Sequence, residues 1–297
     1  MFELLLGTGD IPDRVIKGWT ELDNQGMTNS RYSAMATVGD DLYIFGGAST
    51  PNRVQDLWKY NTITKERTLM PVGPTGRSEP AMTAWGNNLY IIGGWPSPEG
   101  VTDEVHIFNT LSKTWSRGTS YPVKITNARA VTVGIYIYVA GGAIGGSTTT
   151  TALYRYQPNI DQWVVMTPMP QAISAGAWFS LDGKYIFYAM GRTTRAVYRY
   201  DISKNSWDTQ PNGPGDYFEL HAPVVNGKAY IWSSGTLLPA PRLLYVFDGT
   251  TWKTMPQKDP YPNIRYGCAL GAVGYSLFMF GGVIESTYNN GFWQYEL

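Results

Sequence analysis

LYIFGG, residues 42–47, returns as LYIIGG (89–94), IYVAGG (137–142), IFYAMG (186–191), AYIWSS (229–234) and LFMFGG (277–282). Each copy is a short apolar, aromatic-rich run that closes on a glycine pair or the remnant of one. A second marker follows each: an aromatic at Tyr60, Phe108, Tyr156, Tyr200, Phe247 and Tyr295, spaced by 48, 48, 44, 47 and 48 residues. In the middle units a tryptophan stands seven residues further on, at Trp115, Trp163 and Trp207.

Within a unit the chain alternates in steps of two. RYSAMATV (31–38), a turn at Gly39-Asp40-Asp41, Leu42 to Phe45, and Leu57-Trp58-Lys59-Tyr60 read as three strands, and a polar turn through Asn61 and Thr64 leads to a fourth. No stretch carries a 3.6-residue apolar stripe, so almost no helix is expected. Six units of about 47 residues with four strands each are the signature of propeller blades. A side chain on the paired glycines would collide with a neighbouring blade, and glycine also permits positive φ. Met190 and Ser233-Ser234 break the pair, which predicts local divergence in blades four and five.

The register predicts how the ring closes. Trp19 stands 41 residues before Tyr60, as Trp115 stands 41 before Tyr156. It therefore occupies the fourth-strand position of a preceding blade, and the sixth ends at Leu297 without one. Residues 17–22 are expected to pair with Phe292 to Glu296, removing two open sheet edges. This assigns 16–297 to one all-β, six-bladed domain and leaves 1–15 as an N-terminal arm.

These strings resemble the kelch repeat family, whose units carry an aromatic strand ending in Gly-Gly, then an aromatic and a Trp at set spacing. The resemblance covers about residues 16 to 297 and implies a kelch-type β-propeller of four-stranded antiparallel blades. Arg67 stands where the first unit should have its Trp.

Composition narrows function. With net charge zero, 15% charged and 14% aromatic residues, the chain has no general attraction for nucleic acid or an anionic membrane. Cys268 is alone and sits in an apolar run, the setting of a buried structural thiol. Met1 to Gly7 contains Glu3 and no basic region, so no secretory signal is expected, and no stretch is long and apolar enough to insert in a membrane. His106 and His221 fall on different blades, so no metal site, cofactor or catalytic set is expected. GGAIGG (141–146) precedes Ser-Thr repeats instead of a helix and reads as a loop.

Function is then left to the loops. The resemblance implies that loops preceding each first strand share a face with loops joining second and third strands. The former offer Arg31, Arg77, Arg129, His221, Arg265 and Tyr266. The latter offer Arg53, Trp95, Arg192, Arg195 and Arg242, with Tyr217 and Trp95 as stacking platforms. Guanidinium groups suit carboxylates or phosphates, although each could equally pin a loop to backbone carbonyls. Glycine-pair position to third-strand aromatic is 10 residues in blade four against 14 or 15 elsewhere, which predicts a lowered rim beside Arg192 and Arg195.

The expected function is non-catalytic binding of another protein or a surface glycan. Phe2, Leu4, Leu5 and Leu6 in the arm suggest docking on another subunit, as in a phage tail or receptor-binding component of a virion, released without secretion. The alternatives are a cytoplasmic kelch adaptor and an enzyme similar to the sialic acid epimerases of kelch type.

Overall fold

The computed structural model describes residues 18–96, 98, 100–215, 217, 219–233, 243–256, 260, 262–264, 266–284 and 286–297. The arm, the boundary at residue 15, Arg242 and Arg265 lie outside the described residues. No helix occurs among those described, and six four-stranded antiparallel sheets carry the architecture.

Each sheet follows the repeat. In blade one, Ala34–Val38, Asp41–Phe45, Leu57–Asn61 and Arg67–Leu69 pair in sequence order. The first strand begins three residues later than the apolar pattern alone implies. Tyr32 holds φ 63°, a left-handed conformation that interrupts the ladder, and Arg31 instead bridges Ala48. Second strands bury four consecutive residues, as Leu42 to Phe45 do, because both faces lie against neighbouring blades.

Six apolar clusters of buried residues fill the spaces between successive sheets, and one decides closure. It packs Met35, Leu42, Ile44 and Tyr60 of blade one against Ala269, Phe278, Phe280 and Phe292 of blade six. Blade six itself takes Trp19–Leu22 as its outer strand, in register Trp19 to Tyr295 and Leu22 to Phe292. Trp19 is 2% exposed and meets the rings of Trp232 and Tyr295 edge-on at 5.7 and 5.2 Å. The closure expected from spacing is the closure observed.

The outer tryptophans tie blades together by hydrogen bonds. Trp115 Nε1 donates to the Pro71 carbonyl, Trp163 to Thr119 and Trp207 to Thr167, at 3.0, 2.9 and 2.9 Å. Arg67 preserves this link in another chemistry, reaching Asp23 at 2.6 Å, 44 residues upstream as Pro71 is from Trp115.

The glycine pairs meet the next blade's backbone. A Cβ on Gly93 (φ 63°) would lie 2.4 Å from the Ile125 carbonyl oxygen, while Gly94 donates its N–H to that same oxygen at 2.8 Å. Blade four departs as expected. Met190 takes φ 58° in the first glycine position, the ladder shifts register between Ala189 and Gly191, and Tyr185–Gly191 runs almost directly into Thr194–Asp201.

Candidate functional site

The innermost strands surround a channel of about 320 Å3 along the ring axis. Small residues such as Ala36, Ala84 and Gly271 line it because the strands run side by side there: Thr37 Oγ1 donates to the Ala272 carbonyl at 2.9 Å, and Thr132 Oγ1 to that of Ala84 at 2.7 Å. At one end stands a larger cavity of about 470 Å3, built from loops of blades one to four.

The boundary between the two is a belt of backbone hydrogen bonds. One residue per blade takes the left-handed conformation two positions before the first strand, or five before it in blade five: Tyr32, Glu79, Asn127, Ala175, Glu219 and Gly267, with φ of 63, 59, 54, 58, 61 and 74°. Tyr32 N–H donates to the Gly267 carbonyl, Glu79 to Tyr32, Asn127 to Glu79 and Ala175 to Asn127, at 2.7 to 3.1 Å. Leu220 N–H continues the belt onto Ala175 at 3.0 Å. Backbone makes this belt from blade six round to blade five, so residue type at each station is open to chemistry.

The cavity wall gathers Arg31, Arg53, Trp95 and Arg192 with Tyr32, Glu79 and Asn127. Arg31 is held most firmly. Its guanidinium carbon lies 4.5 Å from the Tyr32 ring centroid and 4.8 Å from that of Tyr288, and Nη1 donates to Tyr266 Oη at 3.4 Å. Arg53 Nε donates to the Trp95 carbonyl at 3.2 Å, and the Trp95 indole packs on Gly146. Glu79 Oε2 accepts from Thr126 Oγ1 at 2.8 Å and Asn127 Nδ2 at 2.7 Å.

The arginines grouped together by sequence separate in space. Arg77 is fully buried, donating to the Thr75 and Gly93 carbonyls and pairing with Glu104 at 3.1 Å, so it belongs to the scaffold and not to a binding face. Tyr217 is likewise corrected as a stacking platform. It is buried, with its ring against Tyr245 and the two hydroxyls 3.1 Å apart. Arg129 and His221 share one register, two residues after the left-handed station, that is alanine at Ala34, Ala81, Ala177 and Ala269, and both line the channel. Arg129 donates to the Leu220 and Ala128 carbonyls at 2.8 and 3.1 Å. Burial, with the Arg129 charge behind it, pushes the His221 imidazole down to about 3 and keeps it neutral. Arg192 is exposed on the cavity wall, while Arg195, also exposed, donates to the Gly213 carbonyl at 3.2 Å.

Glu79, Asn127 and Glu219 were not singled out by sequence. Glu219 is 5% exposed, and burial together with the Glu79 charge pushes its carboxyl up to about 8 against the opposing pull of Arg129, Arg192 and Arg31. The readable signal was the station itself, spaced 47, 48, 48, 44 and 48 residues along the chain in step with the aromatic markers. Among the described residues no group of three His, Cys, Asp or Glu is placed to hold a metal, and no helix is long and apolar enough to cross a membrane.

Known proteins resemble this chain in sequence and fold. The family model for the KLHDC2/KLHL20/DRC7 Kelch-repeats domain matches residues 15–191. Kelch-like protein 25 of Xenopus tropicalis is 24% identical over 278 residues, covering 88% of this chain and 46% of its own length. Kelch-like protein 36 of Rattus norvegicus is 25% identical over 196 residues, covering 61% and 31%. The chain thus spans less than half the length of these curated relatives. The solved structure of YjhT superposes with a TM-score of 0.74 at 16% identity, over 91% of this chain and 94% of that one, a likeness of fold.

Proposed function

We propose, for a chain that belongs to the kelch-repeat family of β-propellers, a non-catalytic role: it binds a segment of a partner protein in the cavity at the channel mouth, with Arg31, Arg53 and Arg192 meeting acidic groups of that segment. The observation that carries this is the fixing of Arg31 between the Tyr32 and Tyr288 rings, with its Nε buried and without a hydrogen-bond acceptor. A planar guanidinium stacked in this way presents its fork at little entropic cost, which suits two-point capture of a carboxylate. Trp95 and Tyr266 supply flat apolar area beside it, as partner-binding surfaces commonly do.

Similarity to Kelch-like proteins supports recognition of protein over the other partners considered from sequence. A virion setting and a docking arm depend on Phe2, Leu4, Leu5 and Leu6, which lie outside the described residues. The test is an array of labelled nine-residue peptides varying in Asp and Glu content, with Asn and Gln counterparts. A subset of acidic peptides should bind, and Arg31→Ala with Arg192→Ala should weaken them at least tenfold. Binding confined to glycans, acidic binding indifferent to both substitutions, or turnover of sialic acid epimers or anomers would overturn the reading.

A further inference from the structure

Arg129 and His221 depart from the repeat at the same place. The register filled by alanine in the other four blades carries a guanidinium in blade three and an imidazole in blade five, and both line the axial channel. Four blades pack with a methyl group at this position, so the scaffold itself supplies no reason for either side chain. A hydrogen bond sets the two beside each other: Arg129 Nε donates at 2.8 Å to the carbonyl of Leu220, the residue before His221.

The charge of Arg129 has no counterpart. The residue is 8% exposed, and its Nε and Nη1 are spent on backbone carbonyls. Among the described residues no acid forms an ion pair with it, and of those that line the channel Arg129 alone is charged. Nη2 has no acceptor among them and is open to the channel. The nearby acids are engaged elsewhere. Glu79 lines the cavity and accepts from Thr126 and Asn127, while burial and the Glu79 charge keep the proton on Glu219 near neutrality. An uncompensated buried charge is costly, and an anion from solution removes that cost.

The donors present set its size and charge. The His221 ring, neutral because burial and Arg129 depress it to about 3, has one N–H and no hydrogen-bond partner among the described residues. The channel hydroxyls are committed: Thr37 donates to the Ala272 carbonyl, Thr132 to Ala84 and Ser180 to Tyr185. One guanidinium charge and two N–H donors match a single small monovalent ion. Sulfate or phosphate would bring more charge and more acceptor oxygens than these groups can answer.

We propose that the axial channel binds a small monovalent anion, a halide or formate, between the Arg129 guanidinium and the His221 ring. The site lies on the channel side of the backbone belt, apart from the cavity of Arg31, and does not depend on what that cavity binds. The ion joins blades three and five, which have blade four between them.

The chain has two histidines, which supply a reporter and its control. His106 is buried against Glu104 at 3.1 Å and lies outside the channel lining. The experiment follows both imidazole resonances by NMR at neutral pH while sodium chloride, and separately sodium formate, replaces sodium gluconate at constant ionic strength. His221 should shift saturably with each anion while His106 stays still. Arg129→Gln should weaken the response about tenfold, since a hydrogen bond to a charged group is lost. Arg31→Ala with Arg192→Ala should leave it within about twofold, as expected of residues outside the site. A His221 resonance that stays still, or drifts in parallel with His106 without saturating, overturns the proposal and assigns the channel to water; that titration of the unsubstituted protein stands even if Arg129→Gln fails to fold. A response that survives Arg129→Gln unchanged, or is abolished by the Arg31 and Arg192 substitutions, also overturns it.

Discussion

Removing the Trp19 side chain is the sharpest test of ring closure. Trp19 is almost fully buried, pairs edge-on with Trp232 and Tyr295, and sits in the apolar cluster between blades five and six with Leu244, Leu270 and Leu277. Truncating a buried aromatic to alanine loses transfer free energy and leaves a cavity, about 3–5 kcal/mol together. Unfolding entropy near 2.1 cal/mol/K per residue gives about 0.6 kcal/mol/K for a chain of this length, so Trp19→Ala should lower Tm by about 5–8 °C. Thr20→Ala, on the exposed side of the same strand, should stay within about 1 °C and serves as the control. Calorimetry or circular dichroism melts of the three proteins decide it. If Trp19→Ala melts with the control, the N-terminal strand is not what holds the ring shut.

Gly93→Ala should destabilise strongly, because its Cβ would strike the Ile125 carbonyl at 2.4 Å; Gly86→Ala, with φ also positive but nothing within 4 Å, should cost only about 1 kcal/mol, and chemical denaturation midpoints compare the two. Glu219 makes stability depend on pH in a set direction. Its folded value of about 8 lies above the unfolded one, so the folded state holds the extra proton and stability falls as pH rises through the interval up to about 8. Between about pH 7.5 and 8, where the unfolded His221 has lost nearly all of its proton and adds little opposing slope, Tm should decline for the unsubstituted protein and stay flatter for Glu219→Gln. His221 acts oppositely. Neutral in the fold down to about 3, it makes stability fall as pH drops below about 6.5, and His221→Gln should reduce that acid-side loss in the same melts.

The scaffold was legible because it repeats. Aromatics between blades must recur wherever the same wedge-shaped gap recurs, so Tyr60, Phe108 and Tyr156 announce themselves by spacing, and Trp19 could be placed in blade six before any coordinate. The candidate site was less legible for the opposite reason. Its belt stations share a backbone conformation and no side chain, running Tyr, Glu, Asn, Ala, Glu, Gly, so nothing repeats for a reader of residue types. The arginines misled by a register of one to three residues. Arg77 lies one place upstream of Ser78, the equivalent of Arg31, and that single step takes it from the cavity wall into the scaffold. Glu219 was hidden by burial, which no local pattern around it signals.

The antiparallel pairing of Trp19 with Tyr295 also fixes where the chain can be extended. Both ends of the propeller leave blade six at the margin where third and fourth strands turn, on the far side from the cavity of Arg31 and Glu79. A domain spliced after Leu297 is carried away from the cavity of Arg31 and Glu79. Substitutions at the belt stations and additions after Leu297 are therefore separated by the depth of the blade, so that neither change touches the other.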